Sequence, residues 1–334
     1  MTITLSDWCR VRVAAVVALC SALSLAHGGS LVPLKAAASQ AAPPSNSLEV
    51  LEVRPSFFVI AGGSNVGVQV GEDGVVVVDP GPAADTPAVL AAIKRISPKP
   101  IRYIIDTGPD TDHVGGNEAF SKAGEKLFAA STLGGGPVDS TAPILSAQGV
   151  LRHMATSPVG GWPTEVFNYS RQYMYLNGEA IEVLRQAAAH TDSDVFAFFR
   201  RSDVVFAGDV LDTRQFPVID VDRGGSIQGE IAALNRLVEL AIPSLPVVTR
   251  EAGTIVVPGH GRLCDQYDVV EYRDMVTIVR DRIRELMKAG RSLAEVKAAQ
   301  PAKGYIGRYG NPGGPWTTDR FIEAVYQSLA KEKS

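Results

Sequence analysis

A chain of 334 residues, 46% hydrophobic and 20% charged, has ample apolar material for one large core or two ordinary ones. A formal net charge of −4 without a long basic block excludes the electrostatic footprint of a nucleic-acid or anionic-lipid binder, and a small molecule becomes the default partner. Three cysteines, two of them at Cys9 and Cys20, exclude a disulfide framework and an all-cysteine zinc cage.

In chain order, Arg10 and Arg12 precede an apolar stretch from Val13 to about Leu25, closed by the small residues Ser24 and Ala26. This is the order of a secretory signal peptide, expected over 1–26, and an uncleaved anchor is the alternative. Residues 27–47 read as a flexible linker rich in Ala, Ser and Pro. The mature chain is then expected to be periplasmic or secreted, away from the membrane, with Cys264 as its one thiol.

Phe57–Ala61, Asn65–Val70 and Val75–Val78 read as strands, the all-valine run being buried on both faces. Thr86-Pro87 offers an N-cap and a first-turn proline to a helix carrying Val89, Leu90, Ile93 and Ile96. Strand Ile101–Ile105, helix 117–123 and strand 127–130 follow. Residues 131–170, with Gly134-Gly135-Gly136 and four prolines, read as a long loop or lid. Strands return at Gln172–Leu176, Ile181–Leu184, Val195–Phe199, Val204–Phe206 and Thr254–Val257, with helix Ile227–Leu240 among them. Residues 266–334 read as a C-terminal helical extension: a stripe from Val269 to Met287, a capping box of Ser292 with Glu295, and a last stripe from Phe321 to Leu329. These helices are a natural interface for a homo-oligomer. Strands alternating with helices in two successive halves make an α/β layered fold.

Four apolar, strand-like runs each lead to residues able to bind a metal. Ile101–Ile105 leads to Asp110, Asp112 and His113, and Ile181–Leu184 leads to His190. Val204–Ala207 leads to Gly208-Asp209, and Ile255–Val257 to Gly259-His260. Ligands of α/β sheets gather beyond the carboxyl ends of strands, so three imidazoles and three carboxylates can share one cleft.

The run Thr107-Gly108-Pro109-Asp110-Thr111-Asp112-His113-Val114-Gly115-Gly116-Asn117 resembles the metallo-β-lactamase superfamily signature, usually THxHxDHxGGN. Val78-Asp79-Pro80-Gly81, His190-Thr191-Asp192-Ser193-Asp194, Phe206-Ala207-Gly208-Asp209 and Pro258-Gly259-His260-Gly261 are similar to its other segments, in order across residues 48–265. The resemblance implies an αββα sandwich holding one or two ions, usually zinc. It places Asp112, His113 and His260 on the second ion, His190 on the first, Asp209 between them and Asp79 in support.

Gly108 and Asp110 stand where that signature has its first two histidines. The first site then keeps Asp110, His190 and Asp209 at most, and a harder donor set moves preference from zinc towards iron or manganese. Flavodiiron proteins, a redox branch of the superfamily, resemble the chain in placing a carboxylate at that second position. The leading function is an exported metallo-hydrolase, using a metal-held hydroxide oriented by Asp112 on a small-molecule ester, amide, thioester or lactam. Asp110 is alternatively a free general base. A non-catalytic binding protein on the same fold and an iron or manganese redox protein are the other readings. Trp162 and Trp316 are open between substrate stacking and packing, and Asp212, Arg214 and Asp222-Arg223-Gly224-Gly225 between cleft lining and a solvated loop.

Overall fold

Four consecutive valines define the layering. Successive strand side chains face opposite ways, and Val76 and Val78 enter a core between two sheets while Val75 and Val77 enter a second core under helices; all four are fully buried. The computed structural model describes residues 48–127, 140–244 and 253–332. The expected signal segment and linker, most of the expected strand 127–130 and the Gly134-Gly135-Gly136 run lie outside the described residues.

The first sheet comprises β1 (Glu49–Arg54), β2 (Phe57–Ala61), β3 (Asn65–Val70), β4 (Val75–Val78), β5 (Ile101–Ile105), β6 (Ile144–Ala147) and β7 (Glu165–Phe167), side by side in that order. Pairing is antiparallel from β1 to β4 and parallel from β4 to β7. The second sheet comprises β8 (Arg171–Leu176), β9 (Glu179–Gln186), β10 (Asp194–Phe199), β11 (Val204–Asp212) and β12 (Ile255–His260), antiparallel except for the parallel β11–β12 pair. Helices α1 (Thr86–Ile96), α2 (Thr111–Val114), α3 (Asn117–Ala123), α4 (Gln148–His153), α5 (Ile227–Leu240), α6 (Gln266–Lys288), α7 (Leu293–Ala298), α8 (Ile306–Tyr309) and α9 (Thr318–Lys331) complete the chain.

Three cores make an αββα sandwich. Between the sheets lie Phe57, Val59 and Ile105 from one side and Val183, Phe199, Phe206 and Val257 from the other. The Phe57 and Phe199 rings meet edge to face at 4.7 Å, an arrangement worth about 1 kcal/mol beyond area burial. Outside the first sheet, Val89, Ile93 and Phe120 of α1 and α3 cover Val75, Val77 and Ile104. Outside the second sheet, α5, α6 and α9 cover Phe196, Val205 and Val256. Residues 266–332 therefore share a core with the second sheet instead of standing apart from it. Among the described residues, no helix is long and apolar enough to cross a membrane.

Several sequence readings change. Asp85 precedes the first helical residue of α1, so Thr86 is inside the helix and not its cap. The expected lid over 131–170 contains β6, α4 and β7, which complete the first sheet. Ile144–Ala147 is fully buried but only four residues long, and a run that short has no periodicity to read. β11 and β12 extend through Asp209 and His260, because their ladder slips register around Gly208 without ending.

Candidate metal centre

The parallel strands β4 and β5 deliver the first half of the site. Asp79, just past β4, holds φ at 51°, a left-handed conformation that aspartate tolerates better than most residues. Its carboxylate accepts from Thr107 N at 2.8 Å, from Thr107 Oγ1 at 2.6 Å and from His113 Nδ1 at 2.9 Å. His113, only 1% exposed, is thereby gripped from behind, and its Nε2 faces Asp209 Oδ1 at 3.1 Å. Asp112, its neighbour on α2, is tied through its backbone oxygen to Ser64 Oγ at 2.6 Å. At the end of β12, His260 donates from Nδ1 to Gly63 O at 2.7 Å and turns Nε2 to Asp112 Oδ2 at 3.0 Å.

The second half leans on turns. His190 donates from Nδ1 to Val218 O at 2.7 Å and presents Nε2 to Asp110 Oδ2 at 2.8 Å. Its loop is clamped by Asp194, which accepts from Thr191 N and Thr191 Oγ1, each at 2.8 Å. Ser226 caps α5 by accepting from Gly229 N at 3.0 Å and donates to Ala188 O at 2.9 Å. A Cβ on Gly225 would fall 2.1 Å from His190 O, so only glycine permits this approach. Asp110 Oδ1 takes Arg223 Nη2 at 2.7 Å, and Arg223 Nε donates to Asp220 Oδ2 at 2.7 Å.

Two groups result, Asp112 with His113 and His260, and Asp110 with His190 and Asp209; within each, one ligand atom per residue lies within 4.8 Å of the others. Asp209 stands between them, with Oδ1 3.4 Å from His260 Nε2 and Oδ2 3.9 Å from His190 Nε2. All three imidazoles are oriented through Nδ1 by a carbonyl or carboxylate, which is how proteins fix a histidine ligand.

Charge is strongly coupled across the site. Burial opposes a proton on His190, but the hydrogen bond to Asp110 and the charges of Asp209 and Asp194 push it up to about 10. Burial likewise opposes protonation of His113, and the charges of Asp209 and Asp79 raise it well above its ordinary value. Burial alone would raise Asp209, yet His113, His190 and His260 hold it well below the carboxylate range. The hydrogen bond from His260 lowers Asp112. In Asp110, burial is outweighed by the His190 hydrogen bond and charge, and the carboxyl is lowered. A cation entering either group must therefore displace a proton.

A family model for the metallo-beta-lactamase superfamily matches residues 59–131, the stretch running from β2 through the altered signature. That match and the fold both support the metallo-β-lactamase superfamily. A metallo-β-lactamase from Pontibacter korlensis superposes with a TM-score of 0.55 at 18% identity, covering 69% of this chain and 99% of that one. The stereoselective inverting sec-alkylsulfatase Pisa1 from Pseudomonas sp. gives a TM-score of 0.61 at 17% identity, over 84% of this chain and 50% of its own. The DIM-1 metallo-β-lactamase gives 0.51 at 17% identity, over 69% of this chain and 97% of that one. At such identities the likeness is one of fold. No curated protein matches the sequence.

Metallo-β-lactamase superfamily proteins usually bind metal ions, and the donors here suit one. Three Nε2 atoms and three carboxylates converge, and the residues that orient them lie behind. At Gly108 a Cβ would meet only Asp194 Oδ1, at 3.8 Å, so the position has room for a Cβ. Both oxygens of Asp110 are engaged, Oδ2 with His190 and Oδ1 with Arg223. Of the segments left open between cleft lining and a solvated loop, Arg223 reaches Asp110, whereas Asp212 and Arg214 pair with each other. Trp162 packs against Val114, Val150 and Met154, and Trp316 packs against the helical core, donating to Pro217 O at 3.1 Å. Cys264 is buried outside both groups, and burial pushes its thiol up to about 12. Gly63 and Val218 act through backbone oxygens and carry no sequence signal.

Proposed function

We propose that this chain is an exported, metal-dependent hydrolase of small molecules. In this reading Asp112, His113 and His260 hold one divalent cation, and Asp110 and His190 hold a second, with Asp209 shared. Zinc is the first choice, because imidazole nitrogen and carboxylate oxygen are its ordinary ligands; iron and manganese are the alternatives. The observation that carries it is the convergence of six donors in two adjoining groups.

A bound divalent cation supplies Lewis-acid polarisation of the substrate oxygen and a lowered pKa for water. The chain's own residues do the rest. Asp112, with 46% of its side chain exposed, is the most accessible of the six, and its Oδ1 has no hydrogen-bond partner among the described residues. Ionised as a ligand carboxylate must be, it would take the proton of an attacking water at Oδ1 and return it to the leaving group. His113 and His260 stay fixed through Nδ1 while this happens.

The substrate class is an ester, amide, thioester or lactam, and the name of the Pseudomonas neighbour adds sulfate esters to the panel worth testing. The test is hydrolysis of such a panel by metal-loaded protein beside a chelator-treated control. Turnover that disappears with the chelator and in Asp112→Asn supports the reading. Turnover indifferent to both, or metal binding without turnover of any class, overturns it.

A further inference from the structure

Arg223 is held more firmly than a surface arginine needs to be. Asp220 Oδ1 accepts from Asp222 N at 3.1 Å and from Arg223 N at 2.9 Å, while its Oδ2 accepts from Arg223 Nε at 2.7 Å. Arg223 O accepts from Asp192 N at 3.0 Å, in the loop that carries His190. Gly224 turns the chain at φ 83°, and a Cβ there would lie 2.9 Å from Asp192 Cβ. The turn thus projects the guanidinium onto Asp110 Oδ1 and leaves Asp110 Oδ2 towards His190.

We infer that Arg223 is a positioning residue that sets the metal preference of the Asp110 group, by reserving one carboxylate oxygen and neutralising its charge. The inference rests on the reading of the two groups as metal sites. Asp110, Asp112 and Asp209 bring three negative charges, and Arg223 takes one away, leaving the charge that a neutral residue at 110 would have left. An aspartate free to use both oxygens favours hard cations with six or more oxygen ligands. Restricted to Oδ2, Asp110 offers one donor, as a histidine would, and the group suits a four-coordinate ion of the zinc type. Arg223 therefore offsets the shift towards manganese or iron that Asp110 by itself implies.

Calorimetric titration of metal-stripped protein with Zn2+ and with Mn2+ tests this without recourse to activity. In Arg223→Gln the Mn2+-to-Zn2+ affinity ratio should rise about tenfold or more, since Asp110 Oδ1 is released and a positive charge is lost. Arg223→Lys, which keeps the charge but cannot hold Asp220 and Asp110 at once as the guanidinium does, should fall between the wild type and Arg223→Gln. In an Asp110→Asn background, Arg223→Gln should change the ratio no further, because the two residues act as a unit. An unchanged ratio in Arg223→Gln, or an equal change in the Asp110→Asn background, overturns the inference alone. Absence of binding in the wild type overturns the metal reading, and the inference with it.

Discussion

The Asp112 and Asp110 groups lie on either side of Asp209, but they are braced by different means. His113 and His260 hang from regular elements: α2 beside the carboxylate of Asp79, and the end of β12 beside the Gly63 carbonyl. Asp110 and His190 depend on turns, on the Val218 carbonyl and on an arginine brought in from residues 220–225. Where strands and a helix turn set the ligand vectors, a short signature is enough to mark a site. Where loops set them, the aspartate that stands in the place of an imidazole is paired with an arginine far along the chain from the signature.

The strongest way to break this contrast is to remove what the two groups share. Asp209→Asn should lower metal affinity of both groups by more than about 100-fold, beyond the loss typical of an outer partner, as read by calorimetry. Asp79→Asn should separate them, costing about 10–100-fold at the Asp112 group and leaving the Asp110 group near wild type.

Protons sharpen the comparison further. The metal-free site carries protons on His113 and His190, so metal uptake near pH 7.5 should release about two protons, seen as a buffer-dependent binding heat. Affinity should fall as pH drops. The folded-state value of His190, about 10, is raised above its ordinary 6.5. Its contribution to stability is therefore full below 6.5 and is lost as pH rises through about 10. Metal-free protein should melt lower at pH 10 than at pH 7. The smallest effect is expected from Trp316→Phe, which removes the bond to Pro217 O next to Val218 and should weaken only the Asp110 group, by a few-fold.

Much of the scaffold was legible because its signals are local and strong. The bounds of β4, β5, α3 and α5 follow from a valine run, an apolar strand and helical spacing, and the capping box at Ser292 and Glu295 is present as written. β6 was hidden because four buried residues have no period, and it lies in a stretch dominated by glycine and proline. At the site, the six donors lie in or shortly after β5, β9, β11 and β12, whose apolar runs the residue pattern marks out. Gly63 and Val218 contribute only backbone oxygens, which any residue supplies. Arg223 stands in an Asp-Arg-Gly-Gly run that reads as an ordinary exposed turn; only the fold brings it against Asp110, 113 positions earlier.

Metal content of purified protein decides whether two metal groups adjoin at Asp209. Elemental analysis of the wild type, His190→Ala and His260→Ala should give about two equivalents, with about one lost in each variant, the Asp110 group failing in the first and the Asp112 group in the second. Equal metal in all three proteins, or none in the wild type after reconstitution, would mean that these residues do not form two metal sites.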